Sequence, residues 1–430
     1  MTTGVLAGIS PQHGWEWKPL WAVLQRSKEA GNPGLPPLSV FLDAGVVPRS
    51  SREDNHNQLG EDLSKYLVVR DGDVVFNKLR TWQGGLGVSR HEGIVSPAYF
   101  VCRPNAETDS RFIHYLLKSK PYLAELVRIS KWMPPSQFDT PWENLRKLPL
   151  LLPGLDEQRR IADFLDAETA RIDAIVSMRN HQLILAEQRF EQIVDGVVLG
   201  DRDSLREIGY EGGAKWGNGK IARLFAVIPG YAFPSRDFVA QENGTPLLRG
   251  INVAPGAIDW NVETMAWDLG AHPIDQRFHL RCDDLVIGMD RPWINSGSRI
   301  ALVRDSDLPC LLLQRVACIR SHGPASTRYL RWVLASRHFR IALEGETTGI
   351  SVPHISGEQI KSFSYMLPPP DDERQLAALL ERHDGLRAEY SAMVNRQLEL
   401  LTERRQALIT AAVTGQLDVT TARPTHDRDH

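Results

Sequence analysis

Cysteine is scarce in this sequence: only four occur in 430 residues, and they are scattered along the chain. None forms a CxxC pair, and no histidine pair stands beside them at zinc spacing, so neither a structural zinc site nor another metal site is indicated. We expect all four to be reduced and mostly buried or half-buried, because a free cysteine behaves as a small hydrophobic residue. They are Cys102, Cys282, Cys310 and Cys318.

Long hydrophobic runs are also lacking. No stretch reaches the roughly eighteen consecutive apolar residues that a membrane-spanning helix needs. The first residues have neither a basic start nor a long apolar core, which is not the pattern of a secretory signal. We therefore expect a cytoplasmic protein with no membrane partner.

Neither sign of charge is in large excess, since the formal net charge is −3. This value argues against nonspecific nucleic-acid binding over the whole surface, but it allows a local basic face. The composition, 42% hydrophobic and 24% charged, is typical of a soluble globular protein. The length predicts two or three domains.

The motifs of common nucleic-acid chemistry are missing together. The glycine-rich segment 84–87 lacks the GK[ST] of a phosphate-binding loop, and no GxGxxG lies between a strand and a helix. An Asn-Pro-Pro-aromatic motif, HExxH, GxSxG and a carboxylate–lysine nuclease cluster are likewise lacking. The sequence therefore predicts no catalytic centre and no cofactor of its own, and any catalysis would belong to a partner.

The sequence contains an internal repeat. Residues 153–200 resemble residues 368–415 at a constant offset of 215 positions without a gap. An unbroken register of this length is typical of a rigid helix, because an insertion would rotate its faces. Upstream of these segments the two copies keep short landmarks, such as 73–76 and 284–287, but differ in loop length.

The repeat predicts an alternation of variable globular units and constant helices. We expect a first globular unit at 1–152 and a first helix at 153–200. A second globular unit follows at 201–367, then a second helix at 368–418 and a disordered tail at 419–430.

The two constant segments have clear start signals and a heptad pattern of apolar residues. Prolines end the preceding strands, and Asp156 and Asp371 are expected N-caps. Each helix should have about 44 residues and a length of roughly 65 Å. One apolar stripe needs a partner, and an antiparallel coiled coil of the two helices supplies it; the alternative is that each helix packs only on its neighbouring globular unit. The expected seam consists of Leu165, Ile172, Val176, Leu183, Phe190 and Ile193 in the first helix and Tyr390, Val394, Leu398, Leu401 and Leu408 in the second.

Both globular units read as α+β. Short β-branched runs bounded by turn residues predict strands, and two amphipathic runs predict helices. The expected strands are 73–78, 99–103, 284–289, 300–303 and 315–320, and the expected helices are 111–118 and 327–336.

A loop after the first shared strand has a similar composition in both units. We call it the first loop: NKLRTWQGG at 77–85 and MDRPWINSGSR at 289–299. Arginine suits guanine, asparagine and glutamine suit adenine, and serine or a backbone amide suits phosphate. The alternative is a polar hairpin with a packing tryptophan, but repetition at matching places favours DNA contact. The candidates are Lys78, Arg80, Trp82, Gln83, Arg291, Trp293, Asn295, Ser298 and Arg299.

A second loop precedes the last strand of each unit, ISKWMPPSQF at 129–138 and GETTGISVPH at 345–354. These loops suit phosphate or base contacts and suit structural turns equally well. The candidates are Lys131, Gln137, Thr348, Ser351 and His354.

The entries to the helices, LPLLLPGLDEQR at 148–159 and YMLPPPDDER at 365–374, resemble those of type I restriction-modification specificity subunits. The helix ends at 191–200 and 405–417 are also similar to this family's. The second, with its AAVTG, matches more closely, and the first departs from the pattern at Asp195 and Gly196. The resemblance covers almost the whole chain, although the variable units match only in layout.

The resemblance implies that each globular unit is a target-recognition domain for one half of a split double-stranded DNA sequence. The antiparallel helices would set the spacing of the half-sites. Two methyltransferase subunits that use S-adenosylmethionine would dock on the chain, and restriction subunits that use ATP and Mg would join them. Base contacts vary with the target in this family, so no contact residue is carried over from it.

Three other functions remain open at this stage. The chain could be a stand-alone DNA-binding regulator, a scaffold whose units bind protein, or a carrier of cryptic nuclease or methyltransferase activity.

Overall fold

The computed structural model describes residues 4–52, 62–133, 137–212, 215–294, 297–344 and 354–419. The chain forms two compact units. Unit 1 comprises Met1–Arg179 with Asn395–His430, and unit 2 comprises Asn180–Val394. The five segments predicted from the sequence divide the chain in another way, because they are consecutive, whereas unit 1 combines residues from both ends of the chain. The boundaries of the five segments therefore stay predictions.

Unit 1 is built on a four-stranded antiparallel sheet. The strands of unit 1 as a whole are β1 (Glu16–Pro19), β2 (Leu24–Ser27), β3 (Leu38–Phe41), β4 (Gly45–Pro48), β5 (Leu67–Val69), β6 (Val74–Asn77), β7 (Leu86–Val88), β8 (Gly93–Val95), β9 (Tyr99–Pro104), β10 (Lys131–Met133), β11 (Gln137–Asp139) and β12 (Pro149–Leu152). Its helices are α1 (Leu20–Val23), α2 (Ser110–Lys118), α3 (Lys120–Ile129), α4 (Trp142–Leu145) and the first part of α5 (Leu155–Val198). The main sheet has the order β2-β9-β6-β7.

Strand β6 shows why this sheet is covered on both sides. Val74 and Phe76 lie in the core that contains α2 and α3, whereas Val75 lies in a second cluster with β3 and β4. Successive side chains of a strand point to opposite faces, so a run of apolar residues is buried on both.

Unit 2 repeats this plan. Its strands are β13 (Gly217–Lys220), β14 (Phe225–Pro229), β15 (Phe238–Val239), β16 (Thr245–Leu248), β17 (Val253–Ala254), β18 (Ala257–Ile258), β19 (Ala266–Trp267), β20 (Leu285–Gly288), β21 (Trp293–Ile294), β22 (Gly297–Ser298), β23 (Ile300–Leu302), β24 (Leu311–Leu312), β25 (Val316–Ser321) and β26 (Ser364–Leu367). Its helices are α6 (Arg202–Glu207), α7 (Ile221–Leu224), α8 (Thr327–Ala335), α9 (Arg337–Glu344), α10 (Gly357–Ser362) and parts of α5 and α11 (Pro370–Val413). The main sheet has the order β14-β25-β20-β23.

The internal repeat is present in the structure. The two main sheets share strand order and antiparallel pairing, and the pair β13–β26 matches the pair β1–β12. Helix α11 begins and ends 215 residues after α5, the offset seen in the sequence. Unit 2 also has a sheet with the order β15-β19-β16-β24, and this sheet has no counterpart among the described residues of unit 1.

The long helices run antiparallel, and each unit shows it separately. In unit 1, Leu165 near the start of α5 shares a core with Ile409 near the end of α11. In unit 2, Val197 near the end of α5 shares a core with Leu376 near the start of α11. The predicted fold class, α+β units with two long helices packed antiparallel, is confirmed. Each helix also packs on the globular part of both units, so the alternative of packing on one neighbour alone is wrong.

The predicted seam residues are buried to different degrees along the two helices. Leu165, Ile172, Ile193 and Val394 are buried. The other predicted seam residues are half-buried, namely Val176, Leu183, Phe190, Tyr390, Leu398, Leu401 and Leu408. Ion pairs flank the helix contact in each unit, Arg405–Asp173 at 3.3 Å in unit 1 and Arg387–Glu187 at 2.5 Å in unit 2.

The N-cap prediction needs correction, whereas the prediction of mostly buried, unpaired cysteines is confirmed. Asp156 and Asp371 lie within the first turns of α5 and α11 rather than at the N-caps, where their charge still complements the helix dipole. Cys282 is exposed because it lies in the turn before β20, whereas the other three cysteines are buried. In the described ranges, no helix is long and apolar enough to cross a membrane.

Candidate nucleic-acid interface

The first loop of unit 1 is held in a compact turn after β6. Residues 81–83 form a 3-10 turn, and Thr81 Oγ1 donates to the Asn77 carbonyl at 2.7 Å. Gly84 ends the turn in the left-handed region with φ +85°. A Cβ on Gly85 would lie 2.7 Å from the Arg80 carbonyl oxygen, so the turn requires glycine there.

The turn exposes some predicted contact side chains and holds others. Arg80 and Gln83 are exposed. Trp82 is half-buried, and its Nε1 donates to the Leu79 carbonyl at 3.1 Å. Lys78 Nζ lies 3.3 Å from Oδ1 of Asp139, the residue that directly follows the second loop.

The second loop of unit 1 meets the first through aromatic side chains. The Phe138 ring lies 4.7 Å from the Trp82 ring and 5.0 Å from the Trp132 ring. Lys131 is exposed on β10. Gln137 pairs with Met133 through the backbone, and its side chain lies outside what the structure describes.

The first loop of unit 2 leads into a short hairpin. Arg291 is exposed and has φ +47°. Trp293 on β21 pairs with Ser298 on β22, and its ring lies 6.4 Å from the Phe339 ring. Asn295 lies outside the described residues.

Arg299 is held differently from the other candidates. Its guanidinium donates to the carbonyls of Gly250, Val253 and Asp290, with 3.1 Å between Nε and the Val253 oxygen. Burial lowers the pKa of this side chain. The geometry favours a role in bracing the loop rather than in reading DNA.

The second loop of unit 2 is described only at its end, since Thr348 and Ser351 lie outside the described residues. His354 is exposed, and its Nδ1 lies 2.6 Å from Asp290 Oδ1. Arg315 Nη1 donates to the same oxygen at 3.1 Å. Burial raises the pKa of Asp290, but the bonds from His354 and Arg315 outweigh it and the net shift is downward.

The same backbone bond joins the two loops in both units. The Thr140 amide donates to the Lys78 carbonyl at 3.1 Å, and the Ile355 amide donates to the Met289 carbonyl at 2.9 Å. Thr140 and Ile355 are related by the repeat offset of 215. In each unit, therefore, the chain that directly follows the second loop lies beside the first loop.

Sequence reasoning missed several residues of this region. Trp132, Phe138, Asp139, Asp290 and Arg315 all contact predicted candidates or lie in the same loops. Their composition gave no sign of a role, but Asp139 and His354 occupy equivalent repeat positions. Comparing the two copies position by position would have drawn attention to Asp139, because its counterpart His354 was already a candidate.

Comparison with known proteins gives consistent likenesses. No family model matches the chain. It is 24% identical over 371 residues to the MjaVIII type I restriction specificity subunit of Methanocaldococcus jannaschii, covering 83% of each chain. It is 32% identical over 169 residues to the EcoAI specificity subunit of Escherichia coli. That second match covers 38% of this chain and only 27% of the relative, about a quarter of its length.

Two solved structures have a similar fold. A chain from a structure on assembly and conformational transition of a type I R-M system has a TM-score of 0.74 at 18% identity, covering 95% of this chain and 100% of that one. The HsdS subunit from Thermoanaerobacter tengcongensis has a TM-score of 0.57 at 19% identity, covering 96% and 100%. The expected resemblance to type I specificity subunits is confirmed.

Proposed function

We propose that this chain, which is similar in sequence and in fold to type I restriction specificity subunits, is the DNA-recognition subunit of such a complex. Each unit would act as a target-recognition domain for one half of a split sequence in double-stranded DNA. The chain would choose the site without catalysing a reaction itself.

One observation carries this proposal: both units join the same two loops in the same way. The joined loops expose side chains that suit phosphates and base edges, Arg80, Gln83 and Lys131 in unit 1 and Arg291 in unit 2. Two related readers on one chain suit two half-sites, as the two subunits of a dimeric DNA-binding protein do.

Partner subunits would supply the chemistry. We place S-adenosylmethionine on two methyltransferase subunits, and ATP and Mg on restriction subunits, because the sequence carries no motif for these groups. Exposed apolar residues on the long helices support a docking role, since large apolar side chains in a row are often covered by a partner. In unit 2 these are Ile184, Leu185, Leu386 and Met393.

A selection experiment tests the proposal. The full chain, alone and with a methyltransferase subunit of a type I system, is incubated with a random duplex library at two salt concentrations. We expect the bound fraction to contain two fixed half-sites with a fixed spacer, and affinity to fall steeply with salt because phosphate contacts release counterions. Enrichment of no sequence, or of one continuous short sequence, would contradict the proposal. Selection of a split target without any bound methyltransferase would favour a stand-alone regulator.

A further inference from the structure

A side-chain pair lies beside the backbone bond that joins the two loops in each unit. In unit 1 the pair is Lys78 and Asp139, 3.3 Å apart, and in unit 2 it is Asp290 and His354, 2.6 Å apart. Asp139 and His354 are equivalent by the repeat offset. The first-loop residue of the pair is Lys78 in unit 1 and Asp290 in unit 2. These two are not equivalent, because Lys78 aligns with Met289 and Asp290 is the next residue.

The polarity of the pair is reversed between the units. The acidic residue follows the second loop in unit 1, whereas it lies in the first loop in unit 2. Mixing loops from the two units would place Asp139 opposite Asp290, or Lys78 opposite His354. The pairs are therefore matched within each unit.

Asp139 depends strongly on its partner. Its side chain is 19% exposed, and its Oδ1 is buried without a hydrogen-bond partner among the described residues apart from the ion pair with Lys78. A buried carboxylate oxygen that loses its counter-charge is unfavourable, so Lys78 and Asp139 should stay together. Asp290 and His354 are each about 40% exposed, and Arg315 adds a second contact to Asp290.

We propose that in each unit this pair clamps the end of the second loop onto the first loop and so positions the exposed side chains that contact DNA. Lys78 and Asp139 are the clamp of unit 1, and Asp290 and His354 are the clamp of unit 2. The inference rests on the proposed function of DNA recognition. The clamp residues are positioning residues, because they act through neighbours such as Arg80 and Arg291.

The charge arrangement allows a test that separates positioning from direct contact. In Asp139→Asn the lysine remains but loses its counter-charge. If Lys78 only contacted a phosphate, this change would leave binding unaltered or tighten it. A clamp predicts the opposite, a roughly tenfold loss of discrimination at the half-site of unit 1, since an ion pair with one largely buried partner has more weight than an exposed pair.

The exchanged pair Lys78→Asp/Asp139→Lys provides rescue at unchanged net charge. It restores a clamp but not a phosphate contact at position 78, so we expect it to recover most of the discrimination. In unit 2, Asp290→Asn should lower discrimination at the other half-site by roughly threefold, because this pair is more exposed. Each variant serves as the control for the other unit.

The measurement combines sequence selection with hydrogen exchange. Library selection with the full chain gives the discrimination at each half-site for the original protein and for every variant. Hydrogen exchange of the Thr140 and Ile355 amides reports loop joining without DNA. We expect Asp139→Asn to accelerate exchange at Thr140 only, and the exchanged pair to slow it again.

The outcomes separate the two proposals. If the original protein selects a split sequence but Asp139→Asn keeps its discrimination, or loses it equally at both half-sites, the clamp is overturned and DNA recognition stands. If the original protein selects no split sequence, the proposed function fails, and the clamp as a positioning device fails with it.

Discussion

Glu373 occupies in unit 2 the position that Gln158 occupies in unit 1. The Gln158 side chain accepts from the Asp109 amide at 3.0 Å and donates to the carbonyls of Glu107 and Pro153. Glu373 accepts from the Ser326 amide at 2.7 Å, but its Oε1 has no hydrogen-bond partner among the described residues. It is 1% exposed, and burial raises its pKa to about 7. A protonated carboxyl group can donate as an amide does, so the fold favours neutral Glu373.

Unit 2 should therefore lose stability as the pH rises. The pKa of Glu373 is about 7 in the folded protein and 4.5 in the unfolded chain. Below pH 4.5 the carboxyl group is therefore mainly protonated in the folded and the unfolded state. Between these values the unfolded chain releases the proton first, and the free energy of unfolding falls until about pH 7. We expect Glu373→Gln to remove this fall and to raise the free energy of unfolding at pH 8 by about 2–3 kcal/mol. Denaturant unfolding from pH 4.5 to 8 measures the effect.

The repeat supplies the control for Glu373. The reverse change in unit 1, Gln158→Glu, should introduce the same loss of stability with rising pH. If the free energy of unfolding changed with pH in the same way in the original protein and in Glu373→Gln, ionisation of Glu373 would not destabilise unit 2, and the prediction would be wrong.

Two arginines of one loop should differ in their roles. Arg299→Met removes donors from three backbone carbonyls, and we expect the free energy of unfolding to fall by about 2 kcal/mol. Arg291→Met changes an exposed side chain, and methionine is as strained as arginine in the left-handed backbone conformation at this position. We therefore expect the stability to stay the same while the affinity for DNA falls. Thermal melting and gel shift at one salt concentration measure the two effects. Equal melting temperatures for the two variants would contradict the claim that Arg299 stabilises the fold and Arg291 does not.

Among the elements, the short strands of the main sheets were predictable from local sequence. The predicted strand 99–103 corresponds to β9, and the predicted strand 284–289 encloses β20. Such runs of β-branched and aromatic residues between turn residues carry their own signal. The sheet β15-β19-β16-β24 was not predicted, because its strands have two to four residues and pair with distant partners.

The candidate loops were predictable as loops but not as one surface. Their composition indicated DNA contact, whereas the approach of Lys78 to Asp139 depends on how β6 and β11 are placed by the whole unit. Arg299 shows what composition alone does not predict. The loop composition suggested an arginine that binds guanine, but the structure has its guanidinium donating to backbone carbonyls of the loop and of residues 250–253.

The exposed face of α11 yields a prediction about assembly. Leu386 and Met393 lie one heptad apart on the same face and are 53% and 54% exposed. If this face docks the proposed methyltransferase subunit, we expect Leu386→Asp/Met393→Asp to reduce co-purification of that subunit by at least about tenfold, because charges would replace apolar side chains. Folding should be unaffected, since neither side chain is in a core.

A matched change outside the long helices controls for surface charge. Val127 is an exposed apolar residue on α3, and Val127→Asp should leave the capture of methyltransferase unaltered. Melting temperatures should agree among the original protein and both variants. Full capture by the doubly changed chain would exclude this face as the docking site.

At the scale of the whole molecule, the two units divide at equivalent points of the repeat. Arg179 ends the unit 1 part of α5, and Val394 ends the unit 2 part of α11, 215 residues later. An insertion of one heptad after each of these residues keeps the seam in register, since seven residues make nearly two turns. It lengthens each helix by about 10 Å.

The long helices should then act as a ruler between half-sites. With both insertions we expect the selected DNA to keep its half-sites and to gain a spacer of up to about three base pairs, at 3.4 Å for each. An insertion in α5 alone should instead lower the melting temperature, because seven residues would face no equivalent stretch of α11. Library selection with the full chain measures both spacer and half-sites. An unchanged spacer in the doubly extended protein would mean that the DNA spacing is set elsewhere, by the globular units or by partner subunits, and not by the length of α5 and α11.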